Sequence, residues 1–126
     1  MGPIHLFDVA SRVNHWLTVR QSAIAQNVAN VNTPGFKAQD IKPFESTLEA
    51  MSLAMASTRS GHMTHASGIE ARTEFGPDEA GEVLHSGNTV SLESEMSKAG
   101  EVNRSYALNT SVLKAFHRML MASSKG

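Results

Sequence analysis

The chain has 126 residues, a single domain's length, of which 40% are hydrophobic and only 18% charged, below the usual share of about a quarter. Eleven Lys and Arg against twelve Asp and Glu leave a formal charge of -1, which excludes a basic nucleic-acid-binding surface or a polyanion-binding arm. With no cysteine there is no disulfide frame, no thiolate nucleophile and no cysteine-ligated metal.

The start, from Met1 to Asp8, has neither a basic n-region nor an unbroken apolar stretch, so no cleaved secretory signal is expected. No apolar run approaches the roughly 20 residues of a membrane span, so no direct membrane insertion is expected. From Ile4 to Val31 the chain contains no Pro or Gly, and apolar residues fall at Leu6, Ala10, Val13, Leu17, Ile24, Val28 and Val31. That spacing, close to a heptad, predicts a helix over 4–31, a rod of about 42 Å. Between Ser11 and Asn30 its other faces carry only Arg12 and Arg20 as formal charges. A helix that faces water usually carries more, so this face is suited to lie against protein.

Residues 32–56 form a turn and a short helix. Pro34 disfavours helical geometry at Thr33, and Asn32 is able to take the left-handed cap conformation. Pro34 and Gly35 suit the two central positions of a type II turn. After Pro43, the spacing of Phe44, Leu48, Met51 and Met55 predicts a second helix.

Residues 57–89 differ in kind. They hold five of the nine glycines, and their large hydrophobes are Met63, Ile69, Phe75, Val83 and Leu84. So little burial does not offset the entropy of ordering, and a flexible loop is expected there, with a short hairpin near Phe75 to Leu84.

The last zone predicts a helix over 92–122. Ser91 is its N-cap, and Glu93 and Glu95 face the positive end of the helix dipole. Its stripe is Leu92, Met96, Ala99, Val102, Tyr106, Leu113, Phe116 and Leu120. The fold class is therefore mainly α: long N- and C-terminal helices paired in a coiled-coil-like hairpin around a loop-rich middle, all in one domain. In an antiparallel pair Leu113 meets Leu6, Val13 and Leu17; in a parallel pair it lies nearer Ile24 and Val28. Two helices make a thin core, which suits a subunit that completes its burial against neighbours.

Catalytic patterns are lacking. His62 and His65, with His85 further on, have no acidic third ligand close by and read as solvated loop histidines rather than a metal site. Gly76 to Gly81 matches no phosphate-binding spacing, and no Gly-x-Ser-x-Gly elbow occurs. Asp78, Glu79 and Glu82 read as a solvated cluster, and His15 and Trp16 as packing residues. No catalytic residue, cofactor or metal is expected.

One string goes beyond helix-stop chemistry. The run Gln26-Asn-Val-Ala-Asn-Val-Asn-Thr-Pro-Gly-Phe-Lys-Ala-Gln-Asp40, near the N-terminus, resembles the signature of the bacterial flagellar rod and hook proteins. Its motif positions are Asn27, Asn30, Asn32, Thr33, Pro34, Gly35, Phe36 and Lys37. The string from Val90 to Lys98, then Tyr106 and Lys114-Ala-Phe116, is similar to that family's closing helix. The Pro34 form of the turn, Phe44 downstream, Gly61-His-Met63 and the short length resemble the proximal rod subunits most. The resemblance covers about two-thirds of the chain.

It implies a structural subunit made in the cytoplasm and exported uncleaved through the flagellar type III apparatus. In the periplasm such subunits build a helical tube in the basal body, with copies of themselves, other rod proteins and the membrane ring and export gate as partners. The tube carries torque from motor to hook. The terminal helices would pair and assemble through Leu6, Val13, Leu17, Ile24, Val28, Leu92, Met96, Tyr106, Leu113, Phe116 and Leu120. Another short rod subunit is the nearest alternative. A cytoplasmic helical adaptor is the competing class, and the charge-poor flanks speak against it.

Overall fold

The computed structural model describes residues 3–46, 75–78 and 83–125. Helix α1 spans Pro3–Ala29, strand β1 Gln39–Ile41, strand β2 Phe75–Pro77 and helix α2 Leu92–Ser124. Pro3 takes the first helical position, where its missing N–H costs no hydrogen bond. Ser91 caps α2 in an extended conformation and accepts a bond from the Ser94 amide. Phe44–Ser46 are helical. The rest of the short helix expected there, with Leu48, Met51 and Met55, lies outside the described residues, as do His62, His65, Glu79 and Glu82.

The two helices run antiparallel. Phe7 meets Phe116 edge-on, Asn14 bonds Asn109, Arg20 bonds Glu101 and Asn27 bonds Glu95. The two numbers in every pair add to between 121 and 123, so a single register runs the length of the contact. Leu17, Ile24 and Val102 form the buried centre, with Val13, Trp16, Val28 and Ala99 packed around it. In α1 the buried line Ala10, Leu17 and Ile24 repeats every seven residues, with Leu6 partly covered beyond it.

In α2 the line facing α1 is Glu95, Val102, Asn109 and Phe116, half of it polar. Within the chain this line is narrower than the stripe expected for pairing and assembly. Leu92, Met96, Tyr106 and Leu120 are exposed, while Leu113 and Phe116 are partly covered. The physical reason is width: one neighbouring helix covers one seam, and a stripe of eight residues at mixed spacings is wider than that.

The sheet is also arranged differently from the expected local hairpin. β2 pairs antiparallel with β1, with Gln39 opposite Pro77, Asp40 opposite Gly76 and Ile41 opposite Phe75. A bond from the Asp78 amide to the Ala38 carbonyl extends the ladder. The chain around Phe75 is thus strand, but its partner is the segment that leaves the α1 turn.

Candidate functional site

The residues of the Asn-rich string converge at the end of the helix pair where α1 stops and α2 begins. Thr33, Pro34, Gly35 and Phe36 form a turn closed by the Phe36 amide donating to the Thr33 carbonyl, with Gly35 at φ 73°. Positive φ at the third turn position, after Pro, is the type II arrangement. Asn32 is not left-handed: Gly35 and Gly87 are the positive-φ residues among those described. Asn30 folds its side chain back to the Gln26 carbonyl and accepts from the Thr33 hydroxyl.

The segment that follows α1 is held from far along the chain. Asn88 is buried, and its Nδ2 donates to the carbonyls of Asn30, Val31 and Thr33 at 2.9, 3.0 and 2.8 Å. Its Oδ1 accepts from the Val90 amide. Backbone carbonyls covered in a turn need such donors. Asn88 is presented by a small reversal over 84–88. The Leu84 amide donates to the Asn88 carbonyl, the Gly87 amide to the Leu84 carbonyl, and Gly87 has φ 78°. This is the three-residue loop with a left-handed closing residue.

The two turns then lock together. The Gly35 amide donates to the Ser86 carbonyl, Lys37 Nζ to the Gly87 carbonyl, and the Thr89 amide to the Phe36 carbonyl. The Thr89 hydroxyl accepts from the Ala38 amide. So 83–89, grouped by composition with the loose middle, carries a defined set of long-range bonds.

Asn27 is the keystone of the inner side. It is 1% exposed, and its Oδ1 and Nδ2 pair with the amide and carbonyl of Gln39 as a neighbouring strand would. Its other contact is Glu95, also 1% exposed, at 3.2 Å. Glu95 in turn accepts from Lys98, which also bonds Asp78 and lies 3.9 Å from Asp40. Arg20 holds Asp40 by two bonds, reaches Glu101 and stacks over Trp16. Trp16 donates to the Lys42 carbonyl and meets Phe44 edge-on. Burial works to lower the Lys98 pKa, but the hydrogen bonds and charges of Asp78 and Glu95 outweigh it and the net shift is upward. The carboxylates that converge here are therefore held by the chain's own cations. Among the described residues no group of three or more His, Asp or Glu is placed to hold a metal ion.

Periodicity does not single out Asn88, Thr89 or Glu95. The Gly87-Asn88 pair is a turn signal, and it is the one local sign that the chain reverses there. The arrangement as a whole welds four segments into a fixed joint from which the helix pair projects.

The family described as flagella basal body rod protein matches residues 9–37, which comprise most of α1 and the turn up to Lys37. A flagellar basal body rod protein FlgB of Agrobacterium fabrum is 45% identical over 99% of this chain and 96% of its own length. The chain belongs to the FlgB family of flagellar basal body rod proteins. A second FlgB, from Borrelia hermsii, is 29% identical over 83% of this chain and 84% of its own.

In this FlgB-family chain the matched segment ends at Lys37, one of the residues that tie the two turns together, so the family signature runs into the joint. Helix α2 exposes Leu92, Met96, Tyr106, Leu108, Val112, Met119 and Met121. No helix among the described residues is long and apolar enough to cross a membrane.

Proposed function

We propose that the protein is a structural subunit of the proximal part of the flagellar rod, which polymerises through its helix pair and passes motor torque towards the hook. It acts without catalysis, cofactor or metal. It reaches the periplasmic basal body uncleaved through the flagellar type III apparatus and meets other rod proteins and the membrane ring and export gate there.

The observation that carries this reading is the outer side of α2. Leu108 is 66% exposed and Met119 61%, with Val112 between them, on a helix that packs along one other helix among the described residues. Apolar area repeated along a rigid helix is what a neighbouring subunit would cover. The exposed face of α1, with Ser11, His15, Thr18, Gln21, Ser22 and Gln26, adds a surface almost free of formal charge. Covering such a face costs less desolvation than covering a charged one. The joint supports the same reading mechanically, because torque applied to the helix pair needs a fixed base.

Leu108→Glu tests it. The variant is expected to keep its helical circular dichroism and to be absent from isolated basal bodies, with motility lost. Normal basal bodies and normal swimming in the variant would refute the reading.

A further inference from the structure

We propose that the free end of the helix pair in one subunit seats on the start of α2 in a second copy of the chain, an apolar contact ringed by opposite charges. This rests on the assembly reading above and names one contact through which assembly proceeds.

Charge is sorted along the sequence. Residues 40–101 hold eleven of the twelve carboxylates but four of the eleven Lys and Arg, a formal −7. The two flanking segments hold Asp8 alone against seven Lys and Arg, a formal +6. Among the described residues the antiparallel pairing gathers Arg12, Lys114 and Arg118 towards the free end with Asp8, while Arg20 and Lys37 of the flanking segments lie at the joint. The beginning of α1 and the end of α2 meet at the free end, while Asp40, Asp78, Glu93 and Glu95 lie at the joint. At the free end Asp8 pairs with Arg12 at 2.8 Å, and neither Lys114 nor Arg118 meets a carboxylate among the described residues.

That end also has a shape. Phe7, Leu113, Lys114, His117 and Arg118 line an open cup of about 460 Å³, apolar at the floor and basic at the rim. It fits an apolar knob with a carboxylate beside it. The start of α2 is such a knob. Leu92 and Met96 are 49% and 54% exposed, one helical turn apart on one face, and the exposed Glu93 beside them makes no ion pair among the described residues. The two patches lie at opposite ends of the helix pair, so one such contact leaves a free patch of each kind on the two copies, and the contact repeats along a rod. The charges at the rim steer and orient the docking more than they add affinity.

The absence of native cysteine makes the test clean. Met96→Cys and His117→Cys are placed in one chain, expressed in the host in place of the native protein, and isolated basal bodies are oxidised. Disulfide-linked dimers and higher multimers are expected, and neither single-cysteine chain is able to extend beyond a dimer. Adding Glu93→Lys should abolish the ladder, and adding Lys114→Glu with Arg118→Glu to that chain should restore it, each variant's folding being checked by circular dichroism.

Rods that form normally but give no more ladder than a Met96→Cys/Ser22→Cys control overturn the proposal and leave the assembly reading standing. So does a ladder indifferent to the charge reversals, or a cross-link from position 117 to a different protein. The proposed contact is equally overturned if no ladder forms and the purified chain binds phosphatidylglycerol vesicles through Lys114 and Arg118. Absence of the unmodified chain from basal bodies overturns the assembly reading and this contact with it.

Discussion

Asn27 and Glu95, 68 residues apart in the chain, hydrogen-bond to each other at 3.2 Å in a place where each is 1% exposed. An amide and a carboxylate buried together cost free energy unless every remaining polar atom is matched. Here both are matched, Asn27 by the Gln39 backbone and Glu95 by Lys98. No buried side-chain nitrogen or oxygen among the described residues lacks a partner. The joint is thus a closed polar network, and closed networks specify one geometry more sharply than apolar contacts do.

Asn27→Ala opens that network. It leaves the Gln39 amide and carbonyl without their partner and removes one donor from Glu95, at a cost of about 3 kcal/mol. Asn27→Asp keeps the shape but replaces the amide donor with an oxygen facing Glu95, and should cost more at neutral pH. Urea unfolding of the three proteins checks the order. An aspartate variant as stable as the native chain would show that the Asn27 donor bonds contribute nothing.

At Gly35 the cost is conformational alone. An added Cβ would meet nothing within 4 Å, yet the residue sits at φ 73°. Gly35→Val should therefore lose about 1–3 kcal/mol, and Gly35→Asn much less, since Asn tolerates the left-handed region. Assembly should suffer more than export, because an unfolded chain carries no turn. Secreted protein and recovered rods, measured side by side, separate the two. Equal rod yields from Val and Asn would mean that the turn's backbone geometry has no role in assembly.

These two residues also show what is legible in the sequence. The turn at Gly35 is readable because Pro-Gly after a helix has few conformations open to it, and Leu17 and Ile24 because an uninterrupted apolar period has one buried face. Asn27, Asn88 and Glu95 are not readable in the same way. A buried polar residue has the same letter as a solvated one, and only the fold brings its partner from 58 or 68 positions away. The outer residues of α2 are hard to separate from its seam for a related reason. Apolar positions reserved for a neighbouring subunit follow the same helical period as those that pack within the chain.

Lys98 gives a pH dependence with a definite sign. Its pKa is raised above 10.5 in the folded protein, so its contribution to stability is complete below the unfolded value and is lost as pH rises through the folded one. Lys98→Met leaves Asp78 and Glu95 without this cation and should cost about 3 kcal/mol at neutral pH. The difference from the native chain should stay level between about pH 6 and 9 and shrink above about 10.5. A gap that narrows below pH 9 would contradict the assignment.

At the other end of the helix pair, Asn109 donates to the Ala10 carbonyl at 3.0 Å and to Asn14 Oδ1 at 2.7 Å. It occupies the same line as Val102 and Phe116, where an apolar residue would bury more area. A polar residue on such a line typically fixes register at some expense of stability. Sliding the helices by seven residues would put Phe7 in the place of Asn14 in one direction, which offers the amide no acceptor, and Gln21 in the other. Asn109→Leu removes that penalty, so the variant should be as stable as the native chain or more so. Its register should loosen where the joint no longer reaches. Spin labels at Ser11→Cys and Ser111→Cys should then report a broadened distance distribution or a second distance, while labels at Gln26→Cys and Ser97→Cys, beside the joint, stay narrow. If both pairs remain equally narrow, the joint alone sets the register and Asn109 is an ordinary surface amide.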